Sequence, residues 1–213
     1  MAETSAAVPE VVIERLPQYL RALTQLREQG VEVISSQQLG ARLHVTPAQI
    51  RKDLSYFGRF GKQGRGYNTA HLLDGLRRIL GLGHPWNVAV VGVGRLGRAI
   101  ISYPGFAPEG FRVVCAFDAD PRLVGQTAAK LMVEPMAAMG KSLAQQDVRI
   151  AIVAVPAAHA QEVVDQLVSC GIKSILSYAP VAVQKTPEVH IRYIDPVLAL
   201  QSMTYYLNTS SQG

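Results

Sequence analysis

Cysteine is almost missing from this chain: there are two, Cys115 and Cys170, both in apolar surroundings. That excludes a disulfide framework, and each is expected to pack as a small core residue. No apolar run reaches the roughly 18 residues that a membrane span requires. The opening MAETSAAVPE lacks the basic-then-apolar layout of a signal peptide, so a cytoplasmic protein without a membrane is expected. Histidine is scarce too. None of His44, His71, His84, His159 and His190 falls in a Ser-His-Asp, Cys-His or metal-ligand spacing, and neither a metal site nor a catalytic group is expected. Charged residues make up only 17% of the chain, but they are unevenly placed. Between Arg51 and Arg78, seven basic residues stand against two acidic ones, an excess equal to the net +5 of all 213 residues. Such concentration points to a polyanionic partner.

What is present reads as two halves. Up to about residue 80 the pattern is helical. Pro9 opens a helix, the stretch PQYLRALTQLREQ from Pro17 continues with Leu20, Leu23 and Leu26, and Gly30 stops it. In SSQQLGARL, Ser35 and Gln38 have the spacing of a capping box. TPAQIRKDLSYFG repeats the device with Thr46 as N-cap, Pro47 at the first position and Gln49 at the third. Two such helices across a short turn make a helix-turn-helix. On a helical wheel Ile50, Leu54 and Phe57 form the core face, opposite Lys52, Ser55, Tyr56 and Arg59, with Arg51 on the flank. Residues 56–59 are read as the end of this second helix. The following FGKQGRGYN is read as a hairpin wing, with Lys62 and Arg65 reaching phosphate or minor groove. It is not a P-loop, because Gln63 follows Gly61-Lys62 and helical sequence precedes it.

From Pro85 the pattern changes. WNVAVV, FRVVCAFD, VRIAIVAV, IKSILSYA and VHIRYI are apolar strands that alternate with helical stretches, which implies a parallel sheet covered on both faces. The fold class is α/β: a winged helix-turn-helix domain followed by a Rossmann-like doubly wound sheet, with the boundary at His84-Pro85. The first strand runs directly into Gly92, Val93, Gly94, Arg95, Leu96 and Gly97, a G-x-G-x-x-G turn opening a helix. Asp118 lies 21 residues past Gly97, where a carboxylate accepts the ribose hydroxyls of NAD(H) and repels the 2′-phosphate of NADP(H); Asp120 is the rival for that role. About 125 residues leave no room for a separate substrate domain, so the dinucleotide is expected as a signal and not a reagent. A small NAD-dependent oxidoreductase with an accessory basic domain is the alternative, and a CoA- or nucleotide-binding module a further one.

The segments RLPQYLRAL, SSQQLGARLHVTPAQIRKDLSYFGRFGKQGRGY, VVGVGRLGRAIISYPGF, FDADP, VAVPAAHAQ, SYAPVAV and IDPVLALQSMTYYL resemble the redox-sensing transcriptional repressor family Rex, from about Arg15 to Leu207. The resemblance implies a winged-helix DNA-binding domain over 1–84, an NAD(H) domain over 85–195, and a dimerisation helix and tail over 196–213. The last packs into the other subunit of a homodimer. It implies a repressor that binds a palindromic operator in the apo or NAD⁺ form and is released by NADH. Val155, Pro156, Ala179 and Pro180 join the dinucleotide site by resemblance. Arg15, Tyr103 and Asp195 match a polar network linking the DNA-binding domain, the nicotinamide site and the C-terminal helix, and Tyr103 counts in the dinucleotide site as well. The chain departs from the family pattern at Gln63, Arg65 and Pro196.

Overall fold

The computed structural model describes residues 8–62, 65–184 and 188–210; of Lys62 and residues 208–210 only the backbone is described. It divides into two units, Met1–His84 and Pro85–Gly213.

In the first unit one helix, α1 (Glu10–Glu28), runs unbroken through Pro17. Burial of Leu16, Tyr19, Leu20 and Leu23 around that proline outweighs the roughly 3 kcal/mol an interior proline costs. A short strand, β1 (Val33–Ile34), leads to α2 (Ser36–Leu43). The capping box at its start is complete: Gln38 N donates to Ser35 Oγ at 3.1 Å, and Ser35 N donates to Gln38 Oε1 at 2.9 Å. A turn with His44 in the left-handed region leads to α3 (Pro47–Ser55), where Gln49 N donates to Thr46 Oγ at 3.2 Å. Here only half of the expected box exists, because the Gln49 side chain turns inward to Asp53 instead of back to Thr46. The helix ends at Ser55. Tyr56 is its C-cap and Gly58, at φ 112°, redirects the chain. Arg59 therefore lies in the loop and not on the helix, a correction to the helical-wheel reading.

The wing is a hairpin of β2 (Gly61–Lys62) and β3 (Gly66–Asn68), and β1 completes a three-stranded antiparallel sheet in the order β1-β3-β2. Gln63 and Gly64 lie outside the described residues. Asn68 caps α4 (Thr69–Ile79), whose Leu72, Leu73 and Leu76 share one core with Leu16 and Leu23 of α1 and with Ile50 and Leu54 of α3. This unit is a winged helix-turn-helix.

The second unit is built on β4 (Trp86–Val91), α5 (Arg95–Ile101), β5 (Phe111–Asp118), β6 (Thr127–Ala128), β7 (Leu131–Pro135) and α6 (Met139–Gln145). It continues with β8 (Ile150–Val153), α7 (Ala157–Ser169), β9 (Ser174–Ser177), β10 (His190–Tyr193) and α8 (Pro196–Ser210). The sheet order is β10-β9-β8-β4-β5-β7-β6, and every pairing is parallel except β6 with β7. Side-chain alternation along β4 explains why its buried part, residues 88–91, is apolar on both faces. Ala89 and Val91 pack with α6 and α7, while Val88 and Val90 pack with Ile100 of α5. Strand order reverses about β4, which places a crevice at its C-terminal end between β5 and β8.

Candidate dinucleotide crevice and nucleic-acid face

The carboxyl ends of β4, β5 and β8 enclose a crevice of about 530 Å³, within the range of ligand sites. Its rim begins with Gly92, at φ 91°, where a Cβ would stand 2.5 Å from the Ala154 carbonyl oxygen. Gly97 closes the helix onto the turn, since a Cβ there would land on the Gly92 carbonyl oxygen. Gly94 differs from both: its φ is −67°, and a Cβ would meet nothing within 4 Å. The fold does not need glycine at 94, whereas a ligand lying against the loop backbone does.

Asp118 braces this turn. Val93 N donates to Asp118 Oδ2 at 2.6 Å and Asp120 N donates to Asp118 Oδ1 at 2.8 Å. Each oxygen keeps a lone pair for a further donor. Asp120, also on the crevice wall, is clasped by Arg122, whose Nη2 donates to Oδ2 at 2.8 Å. The Arg122 hydrogen bonds hold the Asp120 carboxyl below the usual carboxylate range.

Gly92, Gly94, Asp118, Val155 and Pro156 line the crevice. Val93 is buried beneath it, Gly97 lies behind it, and Arg95 and Leu96 are exposed on the first turn of α5. Tyr103, Ala179 and Pro180 do not line it: Tyr103 is exposed and meets Phe106 edge-on at 5.1 Å, Ala179 is buried, and Pro180 is exposed. The sequence reading missed one wall, formed by Met136 with His159, Glu162 and Gln166 of α7. Their spacing of three and four marks one helical face. Only the topology shows that this face borders the crevice. Among the described residues no His, Cys, Asp or Glu cluster could hold a metal ion, and no helix is long and apolar enough to cross a membrane. Burial pushes the Cys115 thiol up to about 11, so it stays protonated in the core.

On the first unit Arg51, Lys52, Ser55, Arg59 and Arg65 are exposed and Tyr56 is half-buried; the side chain of Lys62 lies outside the described residues. Arg51 Nη1 donates to Ser36 Oγ at 3.0 Å, tying α3 to α2. Beneath this face sits a group the sequence reading counted only as a charge. Asp53 is fully buried. Its Oδ2 accepts from Arg15 Nε at 2.6 Å and from the Tyr19 hydroxyl at 2.6 Å, while Oδ1 accepts from Arg15 Nη2 at 2.8 Å and Gln49 Nε2 at 2.6 Å. Burial works to raise the Asp53 carboxyl, but the bonds from Arg15, Tyr19 and Gln49 outweigh it and hold it below its usual range. Burial and the bond to Asp53 push the Tyr19 hydroxyl up. Arg15, expected as an interdomain residue, thus has its guanidinium engaged inside the first unit. Asp195 caps α8, accepting from Val197 N at 2.9 Å.

Comparison with known proteins supports both halves. A family model described as "Putative DNA-binding protein N-terminus" matches residues 7–55, and one described as "CoA binding domain" matches residues 84–181. The redox-sensing transcriptional repressor Rex of Chloroflexus aurantiacus is 54% identical over 96% of this chain and 97% of its own. Rex 1 of Thermotoga maritima is 43% identical over 93% and 95%. A crystal structure of RSP in complex with β-NAD⁺ and operator DNA superposes with a TM-score of 0.91 at 36% identity, covering 97% of this chain and 95% of that one. RSP in complex with β-NADH gives 0.87 at 34% identity, with 97% of each chain covered. On identity, coverage and the order of its two halves, the chain belongs to the Rex family of redox-sensing transcriptional repressors.

Proposed function

We propose that this chain is a transcriptional repressor, not an enzyme, acting in the cytoplasm as a homodimer that reads the NADH/NAD⁺ ratio. Residues 1–84 bind a palindromic operator, with Arg51, Lys52, Ser55 and Tyr56 presented by α3 and its cap, Arg59 by the loop, and Lys62 and Arg65 by the wing. Residues 85–195 hold the dinucleotide. Its pyrophosphate lies on the Gly92–Gly97 loop and its adenosine ribose on Asp118 or Asp120, with Arg95, Leu96, Val155 and Pro156 beside them; Tyr103, Ala179 and Pro180 do not line the crevice and join the site only by resemblance to the family. The observation that carries the reading is Gly94, a glycine the fold does not require at the mouth of a crevice. The names of the relatives and the RSP complexes with operator DNA and with β-NADH support it.

The two ligands differ by a hydride, so discrimination must arise at the nicotinamide and not at the loop. Moving a two-state dimer from 99:1 to 1:99 needs about 5.5 kcal/mol, or about 2.7 kcal/mol at each of two sites. Exchange of one charge-assisted hydrogen bond per site is of that size. We assign the exchange to Arg15, Tyr103 and Asp195. Asp53 occupies the Nε and Nη2 side of the Arg15 guanidinium, which leaves its Nη1 donors for another acceptor.

Binding of a palindromic duplex, selected from random sequence by the ligand-free chain, tests this. At fixed total nucleotide and fixed salt, raising the NADH:NAD⁺ ratio should release the duplex; a flat response would refute the redox reading. Residues 196–213 are assigned to dimerisation, with α8 packing into the partner. Val197, Leu198, Leu200, Met203, Tyr205, Tyr206 and Leu207 of α8 are all more than half exposed within one chain, and few monomers leave such a surface uncovered. Replacing Leu200 and Met203 with glutamate should yield a monomer by sedimentation. A dimer that survives would reject this interface.

A further inference from the structure

We infer that Asp53 is a positioning residue that fixes the roll and depth of α3, and thereby the chain's discrimination of its operator from other DNA. The inference rests on the DNA-binding reading above. Two fully apolar anchors, Ile50 and Leu54, hold α3 on the core. They lie four residues apart on one line along the helix, and apolar contacts have no direction, so they leave rotation about that line and sliding along it weakly opposed.

Asp53 supplies what they lack. Its neighbours Arg51 and Lys52 are exposed, yet its own side chain is fully buried and saturated by four donors. Arg15 and Tyr19 sit one turn apart on α1, so the carboxylate ties α3 to a single patch of α1. The Arg15 fork, at 2.6 and 2.8 Å to the two oxygens, fixes an angle as well as a distance. Gln49, one turn earlier on α3, takes the second position on Oδ1 at 2.6 Å and ties the carboxylate to its own helix.

A buried ion pair is a poor way to gain stability, because well-packed apolar residues commonly do as well; what it supplies is geometry. Geometry is what base reading demands. Donors to base edges must be held to about 0.5 Å and 10–20°, whereas long cationic side chains reach phosphate from a range of helix orientations. Loosening α3 should therefore weaken operator binding and spare non-specific binding.

The test uses the full-length chain, the selected duplex and a scrambled duplex of equal length and composition, over a series of salt concentrations. Tyr19→Phe removes one donor and keeps the ring in the core. It should melt as a folded protein and lose about tenfold in the ratio of selected to scrambled affinity, the discrimination of one good base contact. Scrambled-duplex affinity and the salt slope should stay as in the parent. Arg65→Ala, by contrast, should lower the salt slope by about one and leave the ratio near the parent value. If Tyr19→Phe melts early, Gln49→Met withdraws one of the two donors to the other oxygen and gives an independent reading. An unchanged ratio in a folded variant, or selected and scrambled affinities falling in parallel, would overturn the positioning role alone. A parent chain that prefers no duplex over its scramble would overturn the DNA-binding reading, and this inference with it.

Discussion

Gly94→Ala should fold and melt like the parent chain and yet bind NADH about a hundredfold more weakly, the loss of one or two charge-assisted hydrogen bonds. The expectation follows from three glycines of one turn that exist for different reasons. Gly92 has a positive φ and faces the Ala154 carbonyl; Gly97 faces the Gly92 carbonyl. A methyl group at either position must move backbone, so lost binding there could reflect lost structure. At Gly94 the backbone is in a region any residue adopts, and the space beside it is open. Alanine at this helix N-cap should cost less than about 1 kcal/mol relative to glycine. Its methyl would nevertheless stand between the loop amides and a pyrophosphate. Fluorescence titration with NADH beside a thermal melt separates the two effects. Unchanged NADH affinity would place the pyrophosphate elsewhere.

The second large effect concerns Asp53 and acid. Asp53→Asn leaves the Arg15 cation facing a neutral amide, and breaking a buried pair from one side costs about 3–5 kcal/mol. The loss should depend on pH in a definite sense. The folded-state carboxyl titrates below its unfolded value of about 3.9. Its stabilisation is therefore fully present above the unfolded value and disappears as pH falls through the folded one. The gap between parent and variant in urea unfolding should be widest near neutrality and should narrow as pH falls below about 4. A gap that stays constant into acid would mean that the charge on Asp53 contributes nothing.

Much of the fold was legible because its signals are local. Ser35 with Gln38, and Thr46 with Pro47, mark helix starts by chemistry confined to four residues, and the continuous apolar strands report burial on two faces. β6 and β7 escaped, since β6 has two residues and Leu131–Pro135 offers only three apolar ones, with Met132 exposed, before Glu134 and Pro135. The end of α3 was misjudged because Tyr56 and Phe57 continue the wheel pattern, while the stop is set by the backbone of Gly58. The strand-to-helix turn at Gly92–Gly97 could be read because glycine spacing carries the geometry. The α7 wall could not, since His159, Glu162 and Gln166 acquire a role only through the fold. Asp53 is the sharpest case. A lone acid in a basic helix reads as solvated charge, and its three partners lie 34, 38 and 4 residues away.

The last helix has a consequence for how such a switch can be tuned. Fifteen residues are too few to hold a helix alone in water, and α8 keeps its leucines, tyrosines and methionine off the core of its own chain. If a second chain covers them, mass action becomes part of the response, because dilution unravels the assembly as surely as a ligand rearranges it. Gene dosage would then set a threshold of its own, below which no nicotinamide ratio could silence the operator.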